Sequence, residues 1–290
     1  MANKWQRWKG IMKCYPFEEK RLAKWQPPYI VQIKYDGDRG VDHPLDNGSH
    51  LLVTSEENPV FSVPHINQAL EQLNLKIKLD GEYYNHDLYL EGGHELIHSI
   101  VSRSTNIHPR YEEMEFHIFD YQEMTRPQMQ RLIDLDKVKE RIHPPLVISP
   151  YWVCYTLDEI KKVYDKVIEM KYEGIVVRHY MGSYEIDKRS RWAMKFKPKK
   201  KDKYLIVGWK EEVSKDGISK GRIGSISFSS QAGDIFSVSA GLNDEDRARL
   251  WLIRDELPGK YGIVHYQHLT NRQIPKGAFN VEVINEREEV

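Results

Sequence analysis

Lys34 ends the apolar run "YIVQIK" and is followed at once by "YDGDR", which adds Asp36, Gly37 and Arg39. A lone lysine at a strand end ordinarily snorkels to solvent. Here Asp36 and Gly37 impose a tight turn directly after it, and Arg39 returns a second cation to the same small region. An amine beside other cations loses proton affinity, so a larger fraction is neutral near pH 7 and able to attack a phosphorus or carbonyl centre. Further along, "LDGEYY" carries Asp80 and Glu82, and "EGIVVR" carries Glu173 and Arg178. Such carboxylates can hold one or two magnesium ions against phosphate oxygens. "RWAMKFK" sets Lys195 and Lys197 two apart, hence on one face of a strand. Their charge would neutralise a triphosphate and keep Lys34 deprotonated. Each of these residues alone is more often a solvated charge on a surface strand; their co-occurrence in one order carries the reading.

A second constellation lies in "GGHELIHSI", where His94, Glu95 and His98 satisfy H-E-x-x-H. Two histidines one helical turn apart can bind zinc while the glutamate acts as base, as in a metalloprotease. Against this, Gly92 and Gly93 fall where the helix should already have formed, and no third histidine follows at the spacing of the extended motif.

The elements that must position these residues are mixed. "YIVQIK" (29–34), "HLLVTS" (50–55), "LKIKLDGEYY" (75–84), "MEFHIFDY" (114–121) and "EGIVVR" (173–178) read as strands. "TLDEIKKVYDKVIEM" (156–170) repeats apolar residues at helical steps behind a threonine cap, and "RPQMQRLIDLDKVKERI" (126–142) reads as a second helix. After "KFKPKKKDK" the pattern changes to short strand-like runs with glycine turns and one helix candidate, which suggests a small β-barrel. The predicted domains are therefore residues 1–201 and 202–290, in an α+β chain.

With 43 Lys plus Arg against 43 Asp plus Glu in 290 residues, net charge names no partner. The local density at "KRSRWAMKFKPKKKDK" does, since a basic stripe including Arg189, Arg191, Lys199, Lys200 and Lys201 suits a phosphate backbone, with a solvated linker as the alternative for 199–201. Cys14 and Cys154 lack metal-ligand neighbours and read as reduced thiols. No secretory signal and no stretch of membrane-spanning length is visible, so a cytoplasmic protein is expected.

In that order, "KYDGDR" (34–39), "LDGEYY" (79–84), "FHIFDY" (116–121), "EGIVVR" (173–178) and "WAMKFK" (192–197) resemble the signature motifs of the covalent nucleotidyltransferases. The chain most closely resembles the small, phage-type ATP-dependent DNA ligases. The resemblance implies an adenylation domain of antiparallel sheets with flanking helices, followed by an OB-fold barrel. It implies that Lys34 attacks the α-phosphate of ATP and becomes a lysyl-adenylate, with magnesium as the metal and manganese as a substitute. Asp36 and Arg39 would orient the phosphate end and the nick. Glu82 would contact ribose or metal, Phe119 would stack on adenine, and Glu173 would serve the metal. Arg178 would support its strand, Arg189 would match the arginine upstream of the lysine pair, and Lys195 and Lys197 would hold the α-phosphate. Arg272 and Lys276 in "LTNRQIPKGAF" would orient pyrophosphate. The implied partner is nicked duplex DNA, clamped by a monomer hinged at 198–203 without an obligate protein partner.

Two departures stand out. Where the family carries a Ser-Arg pair after the nucleophile motif, this chain reads "LLVTSEENPVF", leaving Arg103 as a candidate to compensate, and the carboxyl-terminal motif is abbreviated. The competing readings are an RNA ligase, a GTP-dependent mRNA capping guanylyltransferase, a zinc metalloprotease, and a nucleic-acid-binding protein without catalysis.

Overall fold

The structure, a computed structural model, describes residues 9–198, 200–266, 268–270, 272–276 and 278–284. It divides into two compact units, residues 1–197 and 198–290.

In the first unit the chain runs through β1 (Lys13–Pro16), α1 (Glu19–Leu22), β2 (Tyr29–Lys34), β3 (Asp38–Pro44), β4 (His50–Thr54), α2 (Pro64–Leu73), β5 (Leu79–Tyr84) and α3 (His86–Val101). It continues through β6 (Glu115–Tyr121), α4 (Gln128–Val138), β7 (Leu146–Ile148), β8 (Tyr151–Cys154), α5 (Leu157–Glu169), β9 (Gly174–His179) and β10 (Arg189–Phe196). Two five-stranded sheets result, in the orders β1-β10-β9-β2-β8 and β4-β3-β5-β6-β7. One pair in each is parallel, β1 with β10 and β6 with β7, so the antiparallel sheets expected from the sequence are mixed.

The apolar run before Lys34 is explained by its place. β2 lies between β9 and β8, and its first five residues are buried, which demands apolar side chains on both faces. Three residues, Tyr35 to Gly37, then carry the chain from the end of β2 in one sheet to Asp38 at the start of β3 in the other. At Gly37 a Cβ would stand 2.1 Å from the carbonyl oxygen of Tyr83, so no larger residue passes there.

The helices close the core. Thr156 caps α5 by accepting from the Glu159 amide at 3.1 Å, and Ile160 and Val167 face inward. Ile66 and Leu70 of α2, with Ile97 and Ile100 of α3, join the same cluster. Two sequence expectations ran past the true ends: residues 75–78 lie outside β5, and the helix over 126–142 is α4 followed by a 3-10 turn at Lys139–Arg141.

The second unit carries β11 (Lys200–Val213), β12 (Ser219–Ser229), β13 (Ile235–Val238), α6 (Asp244–Leu252), β14 (Tyr261–Tyr266), the short pair β15 (His268–Leu269) and β16 (Pro275–Lys276), and β17 (Phe279–Ile284). Its main sheet is antiparallel in the order β13-β12-β11-β14-β17, over a core that includes Ile206, Ile226, Phe228 and Leu250. Among the described residues no hydrogen-bonded ladder joins β13 to β17, so the closed barrel expected from the sequence is not found. No described helix is long and apolar enough to cross a membrane, and both cysteines are free.

Candidate active site

A cavity of about 330 Å³ opens in the first unit, lined by Lys34, Arg39, Glu82, Phe119, Arg178 and Lys195, among others. Both sheets line it. β2, β9 and β10 bring Lys34, Arg178 and Lys195, while β3, β5 and β6 bring Arg39, Glu82 and Phe119.

Lys34 donates to Glu173 Oε2 in a short contact and to the Tyr35 carbonyl at 3.3 Å. The β2–β9 ladder pairs Lys34 with Gly174, which sets Glu173 beside the amine. Gly174 itself has φ +155°, and a Cβ there would stand 2.3 Å from the Phe196 carbonyl oxygen, so glycine is required where β9 passes the lysine pair. Lys197 donates to Glu173 Oε1 at 2.8 Å, and one carboxylate thus holds two lysines.

The expectation that neighbouring cations keep Lys34 deprotonated is overturned. Burial disfavours its charge, but Glu173, Glu82 and Asp36 outweigh burial and raise its pKa above that of an ordinary lysine. Lys195 is the depressed amine: burial first, then Lys197, Lys34 and Arg189, lower its pKa. Glu173 is lowered despite burial, because Lys34 and Lys197 flank it. Glu82 is pushed up to about 7, by burial and by the like charges of Glu173 and Asp38, against the opposing pull of Lys34 and Arg39. A buried carboxylate that needs more positive charge than the protein supplies fits a divalent cation.

Asp80 does not share that role. Its carboxylate is fully buried and receives Arg39 through two bonds of 2.9 and 2.6 Å, with the Tyr184 hydroxyl at 2.5 Å. Arg39 is thereby fixed with its guanidinium 4.9 Å from the centre of the Phe119 ring, and Arg178 lies 5.8 Å from the same ring. Arg178 donates to Gln32 at 2.9 Å, and Gln32 donates to the Phe119 carbonyl at 2.8 Å. Gln32 lines the cavity and was missed by sequence reasoning, although a glutamine inside an apolar strand was a visible signal. Lys13 also lines it, and nothing in the sequence marked it.

The remaining candidates are dispersed. Asp36 is partly buried and acts on Lys34 through its charge. Arg189 is exposed, donates to the Cys14 carbonyl and lines the cavity. Arg191 is exposed, with its guanidinium 4.6 Å from the Trp192 ring centre. Lys200 and Lys201 are exposed at the start of β11 in the second unit. Lys199 lies outside the described residues, as does the side chain of Lys276, whose backbone forms part of β16. Arg272 is exposed in the second unit and pairs with Asp234. Arg103 is exposed and donates to the carbonyls of Ser99 and Asn106; it does not line the cavity, where Ser55 is the lining residue of the strand end after β4.

Residues 12–197 match a family model described as the ATP dependent DNA ligase domain. A DNA ligase of African swine fever virus is 27% identical over 185 residues, covering 60% of this chain and 42% of that protein. The chain thus spans less than half the length of that curated relative. Among solved structures, one from a study of DNA binding with a minimal scaffold by Lig E DNA ligases has a TM-score of 0.74 at 20% identity, covering 95% of this chain and 99% of its own. The ATP-dependent DNA ligase of bacteriophage T7 in complex with ATP gives 0.52 at 16% identity, covering 98% and 100%. These likenesses share the fold, and the matched segment takes in Lys34, Glu82, Glu173 and both lysines of the pair. The metalloprotease reading gives way accordingly: the chain belongs to the ATP-dependent DNA ligase family.

Proposed function

We propose that the protein is an ATP-dependent DNA ligase that joins a 5′-phosphate to an adjacent 3′-hydroxyl at nicks in duplex DNA, through a lysyl-adenylate and then a DNA-adenylate. The observation that carries this reading is the Lys34 amine held against Glu173 in a cavity shared with Lys195, Arg39 and Glu82, in a chain of this family.

In the first step Lys34 loses one proton to solvent to become a neutral amine, its nitrogen forms a bond to the α-phosphorus, the bond to pyrophosphate breaks, and a second proton leaves to solvent as the phosphoramidate forms. Glu82 and Glu173 are the residues to hold magnesium, or manganese in its place. When bound, the ion supplies charge against the triphosphate and offsets the carboxylates that keep Lys34 protonated. Lys195 and Lys197 neutralise the α-phosphate, and Arg39, fixed by Asp80, holds its fork in one orientation. Phe119 offers a ring face to adenine, Arg178 supports that wall, and Asp36 and Arg189 bear on the phosphate end and the nick. In the later steps AMP passes to the 5′-phosphate, and the 3′-hydroxyl displaces it.

The finer assignments form part of the same proposal. The first unit is the adenylation domain, drawn to residue 201 from the sequence and to 197 by the fold, and the second is an OB-fold domain, whose five-stranded antiparallel sheet with one helix supports that reading. Arg191, Lys199, Lys200 and Lys201 contact DNA phosphates, and Arg272 and Lys276 orient pyrophosphate. The enzyme works as a monomer in the cytoplasm without an obligate protein partner.

Intact-mass measurement after incubation with magnesium and either ATP or GTP tests the first step. One AMP on Lys34 is expected. A GMP adduct would move the reading to a capping-type enzyme, and no adduct on nucleotide-free protein would end the covalent mechanism.

A further inference from the structure

α3 is not one regular helix. Gly93 has φ +62° and ψ −163°, which breaks it, and His94 begins the second segment. Within that segment His94 and His98 sit one turn apart, with ring planes within 12° of parallel and centroids 5.6 Å apart. The sequence offered no third histidine for this pair and only Glu112, Glu113 or Glu115 as remote substitutes. The structure does: Asp38, the first residue of β3, faces both, with Oδ1 3.3 Å from His94 Nε2 and Oδ2 2.8 Å from His98 Nδ1.

We propose that Asp38, His94 and His98 form a binding site for a single first-row transition-metal ion, zinc foremost, separate from the magnesium chemistry of the nucleotide cavity. One ligand atom from each residue lies within 4.8 Å of the other two. Metal–ligand bonds of about 2.1 Å at the tetrahedral angle place two ligand atoms roughly 3.4 Å apart, close to the separations seen here. Coordination would keep the Asp38–His94 separation of 3.3 Å and open the Asp38–His98 one from 2.8 Å.

Ligand chemistry selects the class of ion. Two imidazole nitrogens and one carboxylate suit zinc, cobalt or nickel, whereas magnesium and calcium prefer all-oxygen shells. Side-chain exposures of 21% at Asp38, 28% at His94 and 57% at His98 leave the site open to solvent, with room for water as further ligand. The ion would tie the second segment of α3, after the break at Gly93, to the start of β3.

The test is a titration of the metal-stripped full chain with Co²⁺, read by its visible absorption bands, then back-titration with Zn²⁺. One equivalent of Co²⁺ is expected to saturate the bands, one equivalent of Zn²⁺ to remove them, and excess Mg²⁺ to leave them unchanged. His98→Ala and His94→Gln should each weaken binding by at least about 100-fold, since even loss of an outer partner costs 10- to 100-fold. Glu95→Gln, between the two ligands but not one of them, should bind as the parent does. The melting temperature of the parent should rise with Zn²⁺ and that of the exposed His98→Ala variant should not. Binding that survives both histidine substitutions, or no saturable binding at one equivalent, overturns the proposal.

Discussion

Asp120 receives Arg131 at 2.7 and 3.0 Å, with Arg178 at 3.7 Å, and none of the three side chains is more than 4% exposed. The rest of Arg131 donates to the carbonyls of Arg126 and Gly182 and to Gln128, so its fork is spent on fixed partners. In the cavity the matching is looser. Lys34 and Lys197 share Glu173 much as Arg131 and Arg178 share Asp120, but Lys195 is held below an ordinary lysine by burial and its cationic neighbours, and Glu82 is pushed up to about 7. The first cluster is a set of charges that the fold has satisfied; the second is a set whose protonation depends on what binds. Matched buried charge fixes geometry, and unmatched charge at the rim is available for chemistry.

The sharpest way to break that distinction is Lys34→Arg, which keeps the charge beside Glu173 but cannot readily lose a proton. AMP adduct formation, read by intact mass over time, should fall by at least about 1,000-fold. Asp120→Asn attacks the other cluster. It should leave Arg131 buried without a counter-charge and cost about 3–5 kcal/mol in urea unfolding, a loss that appears even without nucleotide.

Glu82 gives a signed test in nucleotide-free protein without divalent ions. Its folded pKa is near 7 against an ordinary value of 4.5, so the folded state keeps a proton that the unfolded chain has already released. Stability from this group therefore falls as pH rises from about 4.5 to about 7. Glu82→Gln should flatten that slope and gain about 1–3 kcal/mol relative to the parent by pH 8, measured by denaturant unfolding at several pH values. An unchanged slope would remove Glu82 from the unmatched set.

The smallest effect belongs to charges that are fully solvated. Lys200→Ala with Lys201→Ala should lower the slope of log affinity for nicked duplex against log salt by about 2, with adduct formation untouched. A slope that does not move would take these lysines off the DNA path.

Much of this was legible in the sequence where one physical demand acted alone. β2 was readable to the residue because burial on both faces requires an unbroken apolar run, and α5 because period and cap agree. β3 was not, since "DRGVDHP" carries the glycine, proline and aspartates of a loop and becomes a strand only by pairing with β4 and β5. Lys34, Glu82, Glu173 and Lys195 were visible as motif residues, yet the sign of the Lys34 shift was not. It depends on which charges stand nearest across two sheets, and those are carboxylates. The same limit hid Asp38 from the two histidines and Arg131 from Asp120. Arg191, closer in sequence to the lysine pair than Arg189 is, is not a lining residue of the cavity.

Tyr35 to Gly37 join the two sheets, and that joint lies inside the nucleophile motif itself. One residue inserted there would do more than displace a side chain. With Lys34 anchored opposite Gly174 and Arg39 opposite Glu82, the extra residue would have to slip one ladder or bulge the turn against Tyr83. Length at this joint is therefore under the same constraint as identity. A variant library that tolerates substitutions at Tyr35 should reject every insertion between Lys34 and Asp38.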